Sequence, residues 1–113
     1  MHKINIYDSL KYSDEKVQIT PLFESDSSKE IRIVFKENQI MREHKTRYPI
    51  TVEIFQGTID FGVSGDVHTL VKGDIVALDG NVKHDLTAME DSIVRLSLSK
   101  SDSVSRVSGI LKL

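Results

Sequence analysis

The stretch from Ile50 to Gly80 reads ITVEIFQGTIDFGVSGDVHTLVKGDIVALDG, and its punctuation decides the fold. Gly57 closes an apolar segment over 50–55, and Ser64-Gly65-Asp66 closes a second over 58–63. Lys72-Gly73-Asp74 closes 67–71, and Asp79-Gly80-Asn81 follows 75–78. Glycine beside Asp or Asn supplies the positive φ that tight hairpin turns require. Within the segments apolar residues alternate with polar ones, as in Ile59, Phe61 and Val63. A period of two over β-branched and aromatic residues describes half-buried strands.

Working outward, Glu90-Asp91-Ser92 precedes a segment over 93–98 in which Val94, Leu96 and Leu98 alternate. Upstream, 17–24 and 31–36 read as strands joined by a polar loop over 25–29. Pro21 and Pro49 stand near segment edges, where a missing N–H is tolerated. Short strands at this spacing imply a sandwich or barrel. The expectation is one all-β domain: an N-terminal arm over 1–15, a barrel over 31–98 and a serine-rich tail over 99–113. In the arm, Ile4, Ile6 and Tyr7 are expected to extend, with at most one helical turn over 8–13. In the tail, Ile110, Leu111 and Leu113 either fray or pack on a neighbour. Strand parity puts Ile50, Val52 and Ile54 on an inward apolar wall and Glu53 outside, with Val94 and Leu96 buried.

Composition excludes several classes. The 113 residues carry 15 Lys+Arg against 17 Asp+Glu, a net charge of −2, which offers nucleic acid no overall attraction. A hydrophobic fraction of 39% is that of a folding chain, not a disordered one. The absence of cysteine removes disulfides, thiol nucleophiles and thiolate zinc sites. No apolar run approaches the roughly 20 residues of a membrane span, and the first ten residues lack a signal peptide's apolar stretch. A cytoplasmic protein with no membrane and no nucleic-acid partner is expected. No Ser/His/Asp arrangement or phosphate loop appears.

Two stretches place histidines in a recognisable setting. One runs Glu43-His44-Lys45-Thr46-Arg47-Tyr48-Pro49-Ile50 and on to Gly57; the other runs from Gly73 through Asp79-Gly80-Asn81-Val82-Lys83 to His84. They resemble the two motifs of the cupin superfamily. The first motif there has two histidines one residue apart, then a glutamate and a hairpin glycine; the second runs from a turn glycine to a histidine. The segment between them, 58–72, is short, as in small single-domain cupins, and the resemblance covers roughly 40–98. It implies an antiparallel jelly-roll barrel, the cupin double-stranded β-helix. Aligned backwards from Gly57, His44 falls on the family's first metal histidine, Thr46 on the second and Ile50 on the glutamate. His84 falls on the histidine of the second motif. Asp79 and Asn81 replace its usual proline and glycine, and Asn81 tolerates the same left-handed backbone.

Two functional expectations follow from that resemblance. The first is a small molecule bound in the barrel mouth, in a pocket formed by Thr46, Tyr48, Ile50, Val52 and Ile54. The alternative is a metal-dependent enzyme of dioxygenase or isomerase type, with His44 and His84 holding Ni, Zn, Fe or Mn. Two of four family ligands would hold such a metal weakly, since metal sites usually have three or four protein ligands. The plain structural alternative is two hydrogen-bonded histidines near a pocket mouth. If the pair is a site, Thr46 or a backbone carbonyl should accept the distal ring N–H, and His84→Ala should cost little stability. His68 is expected to face solvent or a dimer partner, His2 has no assigned role, and Lys45 and Arg47 read as a solvated edge. A homodimer is expected, because Ile4, Ile6 and Tyr7 lack a home in a short barrel and can extend a neighbour's sheet.

Overall fold

The computed structural model describes residues 1–100, so the expectations for Ile110, Leu111 and Leu113 lie outside the described residues. Nine strands follow in chain order: β1 (Gln18–Glu24), β2 (Ser28–Phe35), β3 (Ile40–His44), β4 (Ile50–Gln56), β5 (Thr58–Val63), β6 (Asp66–Val71), β7 (Ile75–Leu78), β8 (His84–Ala88) and β9 (Ser92–Ser99). They form a five-stranded sheet, ordered β1-β2-β9-β4-β7, and a four-stranded sheet, ordered β3-β8-β5-β6. Every pairing is antiparallel. The expected pair of facing antiparallel sheets is present. Among the described residues no helix is long and apolar enough to cross a membrane.

The turn chemistry explains the corners. Ser64 and Gly65 both have positive φ, 51° and 84°, between the paired residues Val63 and Asp66. That is the two-residue hairpin turn whose twist matches its strands. Gly57, at φ 94°, serves a different need. A Cβ there would overlap the Ser92 hydroxyl and lie 2.6 Å from the Asp91 carbonyl oxygen. The glycine lets the β4–β5 corner close onto the start of β9, where the Ser92 hydroxyl accepts the Thr58 N–H at 3.1 Å.

The inner faces meet in one core. Ile31, Ile33, Phe35, Ile50, Val52, Ile54 and Val94 come from the five-stranded sheet, and Ile59, Phe61, Leu70, Leu86 and Ala88 from the other. The register Val52↔Leu96 and Ile54↔Val94 keeps the inward set together, and a slip of one residue would turn it all outward. Each such side chain contributes roughly 1.5–3 kcal/mol when fully buried. One expectation needs correction: Leu96 is half-buried, because it borders the open space beside the histidine pair. Glu53 does face outward, where Arg95 donates to it at 3.0 Å and to Glu30 at 2.8 Å.

The arm also departs from expectation. It neither extends nor forms a helical turn over 8–13; it folds into a tight turn, with Asp8 N–H donating to Asn5 O at 2.9 Å and Leu10 N–H to Tyr7 O at 3.1 Å. The turn lies on the outer face of its own five-stranded sheet. Arg32, only 3% exposed, donates from Nη1 to the Ile6 and Asp8 carbonyls, both at 2.7 Å. Tyr7 meets Phe55 edge-on at 5.5 Å and its hydroxyl donates to Gln56 at 3.3 Å. The arm is thus tied to its own sheet, although of Ile4, Ile6 and Tyr7 only Ile6 is half-buried, and Ile4 and Tyr7 stay exposed. The polar loop expected over 25–29 is shorter than expected, since β2 begins at Ser28.

Candidate functional site

Strands β3 and β8 are neighbours, and His44 stands directly opposite His84. Met41 pairs with Leu86 in the same ladder, and the register shifts between Met41 and His44. Three residues along a regular strand would put His44 on the opposite face from Met41, since side chains alternate. The bulge inserts an extra step and returns His44 to the inner side, so that both residues border one space. The loops beyond the strands are also tied together. Asn81, at φ 66°, donates its N–H to Thr46 O at 2.6 Å, and a Cβ on Gly80 would overlap the Arg47 carbonyl oxygen. Asn81 thus takes the left-handed conformation expected of it, and both histidine-bearing strand ends are held at one end of the barrel.

The two rings lie edge to face with centroids 4.4 Å apart. His84 also stacks on Phe61, with 5.8 Å between centroids and 16° between planes. His84 is only 3% exposed, whereas His44 is half-buried. Each ring bonds through Nδ1 to the carbonyl two residues earlier, His44 to Arg42 O at 2.7 Å and His84 to Val82 O at 2.9 Å. A carbonyl only accepts, so each Nδ1 carries the proton. The neutral ring then presents Nε2 as an acceptor lone pair. Burial pushes the His84 imidazole below its ordinary pKa of 6.5, and the neighbouring His44 pushes the same way; the Val82 hydrogen bond and Asp85 only partly oppose them. His84 is therefore neutral at pH 7.

The histidines face apolar walls made by Ile33, Met41, Val52, Leu86, Val94 and Leu96, around a space of about 10 Å³. That is room for about one water molecule. Of the five expected pocket residues, only Val52 borders this space. Ile50 and Ile54 lie on the same wall but within the core, 1% and 0% exposed. Thr46 and Tyr48 lie on the loop after β3, where the Thr46 hydroxyl donates to Tyr48 O at 2.9 Å and Arg47 stands 5.1 Å from the Tyr48 ring. Backbone carbonyls, not Thr46, orient the two imidazoles. His68 is exposed on β6, and His2 stacks on Phe23 at 6.3 Å; neither joins the pair. Leu86 could have been read from the alternation His84, Leu86, Ala88, whereas the bulge hides Met41.

The donor set falls short of a resident metal centre. Among the described residues no group of three or more His, Cys, Asp or Glu side chains gathers in one place. The positions that would complete the set hold an engaged threonine hydroxyl and a buried isoleucine. Two imidazole nitrogens with no carboxylate leave half of a tetrahedral shell to outside ligands.

No family model matches the sequence, and no curated protein is significantly similar to it. Solved structures do match it in shape. A conserved protein of unknown function from Streptococcus pyogenes is 13% identical, with a TM-score of 0.77 and 89% of each chain covered. An RmlC-like cupin from Desulfovibrio desulfuricans is 18% identical, with a TM-score of 0.80, covering 88% of this chain and 96% of its own. A cupin superfamily protein from Desulfitobacterium hafniense is 13% identical, with a TM-score of 0.78 and coverage of 87% and 90%. At these identities the likeness establishes the architecture, which is the cupin double-stranded β-helix.

Proposed function

We propose that this cupin-fold chain binds a small molecule at the mouth of its barrel and anchors it on the His44–His84 pair. The observation that carries this reading is two imidazoles in edge-to-face contact bordering one apolar recess, each with its Nδ1 engaged by a backbone carbonyl and its Nε2 left to accept. Two neighbouring acceptors attract a hydrogen-bond donor, and the apolar walls favour a ligand whose donor sits on a slim carbon stem. Small-molecule sites are typically largely apolar, with a few placed polar groups. The test is side-chain ¹⁵N NMR of the histidines during a screen of small alcohols and amines at pH 7.5. Binding at the pair should move the Nε2 resonances of both His44 and His84; a ligand that binds and leaves both unmoved refutes the reading.

A second reading rests on the same two nitrogens: a divalent metal held by His44 and His84 and completed by water or substrate oxygens, as in a metal-dependent enzyme. Metal analysis of protein purified without a nickel column separates the two. Stoichiometric Ni, Zn, Fe or Mn surviving dialysis would favour the second; we expect well under one ion per chain. A homodimer is part of the proposal as well, supported by exposed Val67, Val71 and Ile75 on the edge strands β6 and β7. Light scattering at micromolar concentration should give twice the chain mass, and a monomer would count against it.

A further inference from the structure

The recess at the histidine pair has polar anchors but almost no room. A groove on the outside of the barrel has the opposite character. It lies between the start of β1 and β3, holds about 500 Å³ and is bordered by Lys16, Val17, Ile19, Ile40, Met41 and Arg42 among others. Small-molecule sites commonly occupy about 300–1,000 Å³, so the groove has a ligand's volume and the recess has a ligand's anchor. Among the described residues, Met41 is the one that borders both.

We infer that the groove is the approach to the His44–His84 pair, that the Met41 side chain closes it, and that the ligand is a slim carboxylate with a hydroxyl at its far end. This rests on the reading of the pair as a ligand anchor. The fold leaves the passage available. β1 is an edge of the five-stranded sheet and β3 an edge of the four-stranded one, so no strand pairing has to break where the two sheets part. Met41 is half-buried, and its unbranched thioether can swing aside where a branched side chain could not. The groove wall beside it is firmly held: Gln39 accepts the Lys36 N–H at 2.9 Å and donates to Ser13 O at 2.6 Å. Movement is thereby concentrated in Met41.

The ligand's chemistry follows the same line. At the inner end the Nε2 lone pairs accept a hydroxyl proton. Along the passage Val17 and Met41, both packed against the core, suit a carbon stem. Lys16, Arg42 and Glu15 all border the groove, an excess of one positive charge that suits a carboxylate. Arg42 also links the two spaces, since its carbonyl accepts the His44 Nδ1–H and the residue borders the groove.

The test is calorimetric titration of wild type, Met41→Ala, Met41→Leu and Met41→Phe with 6-hydroxyhexanoate at pH 7.5. Hexanoate serves as the control lacking the hydroxyl, and the histidine ¹⁵N resonances are followed in parallel. Removing the gate should tighten binding about tenfold, a change of about 1.4 kcal/mol. Phenylalanine should weaken it at least as much, and hexanoate should bind weakly to every variant. Circular dichroism checks that each variant is folded; Met41→Leu, which keeps the volume but adds a branch, should still bind more weakly if Met41→Ala unfolds. Equal affinity across all variants, with both Nε2 resonances shifting, overturns the gate and leaves the anchor standing. Binding without any Nε2 shift overturns the anchor. No binding of 6-hydroxyhexanoate to any variant overturns the ligand class.

Discussion

Replacing His84 by alanine tests whether the pair is part of the barrel's packing or only decorates its mouth. A residue at the mouth would cost almost nothing to remove. The structure instead places His84 at 3% exposure, stacked on Phe61 and flanked by His44. Truncating a buried phenylalanine costs about 3–5 kcal/mol, and the smaller, polar imidazole should cost less. The lost stacking contributes about 0.5–1.5 kcal/mol and the hydrogen bond to Val82 O about 1 kcal/mol. We therefore expect His84→Ala to lose about 2–4 kcal/mol, whereas His44→Ala, half-buried, should lose less than about 1 kcal/mol. Urea unfolding followed by circular dichroism measures both, with an unchanged m-value as the check that the same surface is exposed. Acidification adds a second signature. His84 is neutral in the fold and its pKa is depressed by burial, so below the unfolded value of 6.5 the unfolded chain takes up a proton that the folded chain refuses. Stability should hold above that pH, fall below it, and level off once the folded imidazole also protonates. His84→Phe keeps the packing and should lose this part of the pH dependence. A loss within about 0.5 kcal/mol for His84→Ala, as for an ordinary surface substitution, would refute the reasoning.

Further substitutions probe the frame around the site. Gly57→Ala combines a positive φ with overlap onto Ser92 and should cost about 2–5 kcal/mol in the same unfolding assay. Arg95→Gln should cost about 1–3 kcal/mol, since Glu30, 7% exposed, would lose its cation and retain the neutral Ser97 hydroxyl. Arg32→Met removes a buried guanidinium whose Nε has no partner; global stability should change by less than about 1 kcal/mol. Hydrogen exchange at residues 5–10 should nevertheless accelerate, because the arm loses its two hydrogen bonds from Arg32; unchanged exchange there would show that its other contacts suffice to hold it.

Most of the architecture could be read from the chain because the strands that build the core alternate strictly. The β4 series Ile50, Val52, Ile54 and the β9 series Val94, Leu96, Leu98 each point one way, and glycines mark their ends. β3 could not be read so. Its bulge between Met41 and His44 breaks the alternation, and with it the signal that both residues share a face. The convergence of His44 and His84 was legible from the motif resemblance, but the residues that surround them were not. Leu86, Val94 and Phe61 reach the pair from three different strands, and Thr46 turns away to its own loop, outcomes that depend on long-range pairing. The arm's turn is hidden for a related reason. Nothing local announces that Arg32, 24 residues downstream of Asp8, will capture its backbone.

The position of β9 bears on how the chain is made. This strand lies in the middle of the five-stranded sheet, between β2 and β4, yet it follows both in sequence. During synthesis β2 and β4 emerge with their inner ladder edges bare, and nothing made before Ser92 can join them. Phe35 and Ser92 are 57 residues apart, a wait of about 3–11 s at bacterial and eukaryotic elongation rates of roughly 5–20 residues per second. The inner edge of β2 waits through that interval, and that of β4 joins it from Gln56 onward, each a bare strand edge able to pair with another chain. The four-stranded sheet is complete in sequence before β9, so joining the halves of the five-stranded sheet is left to one of the last segments made.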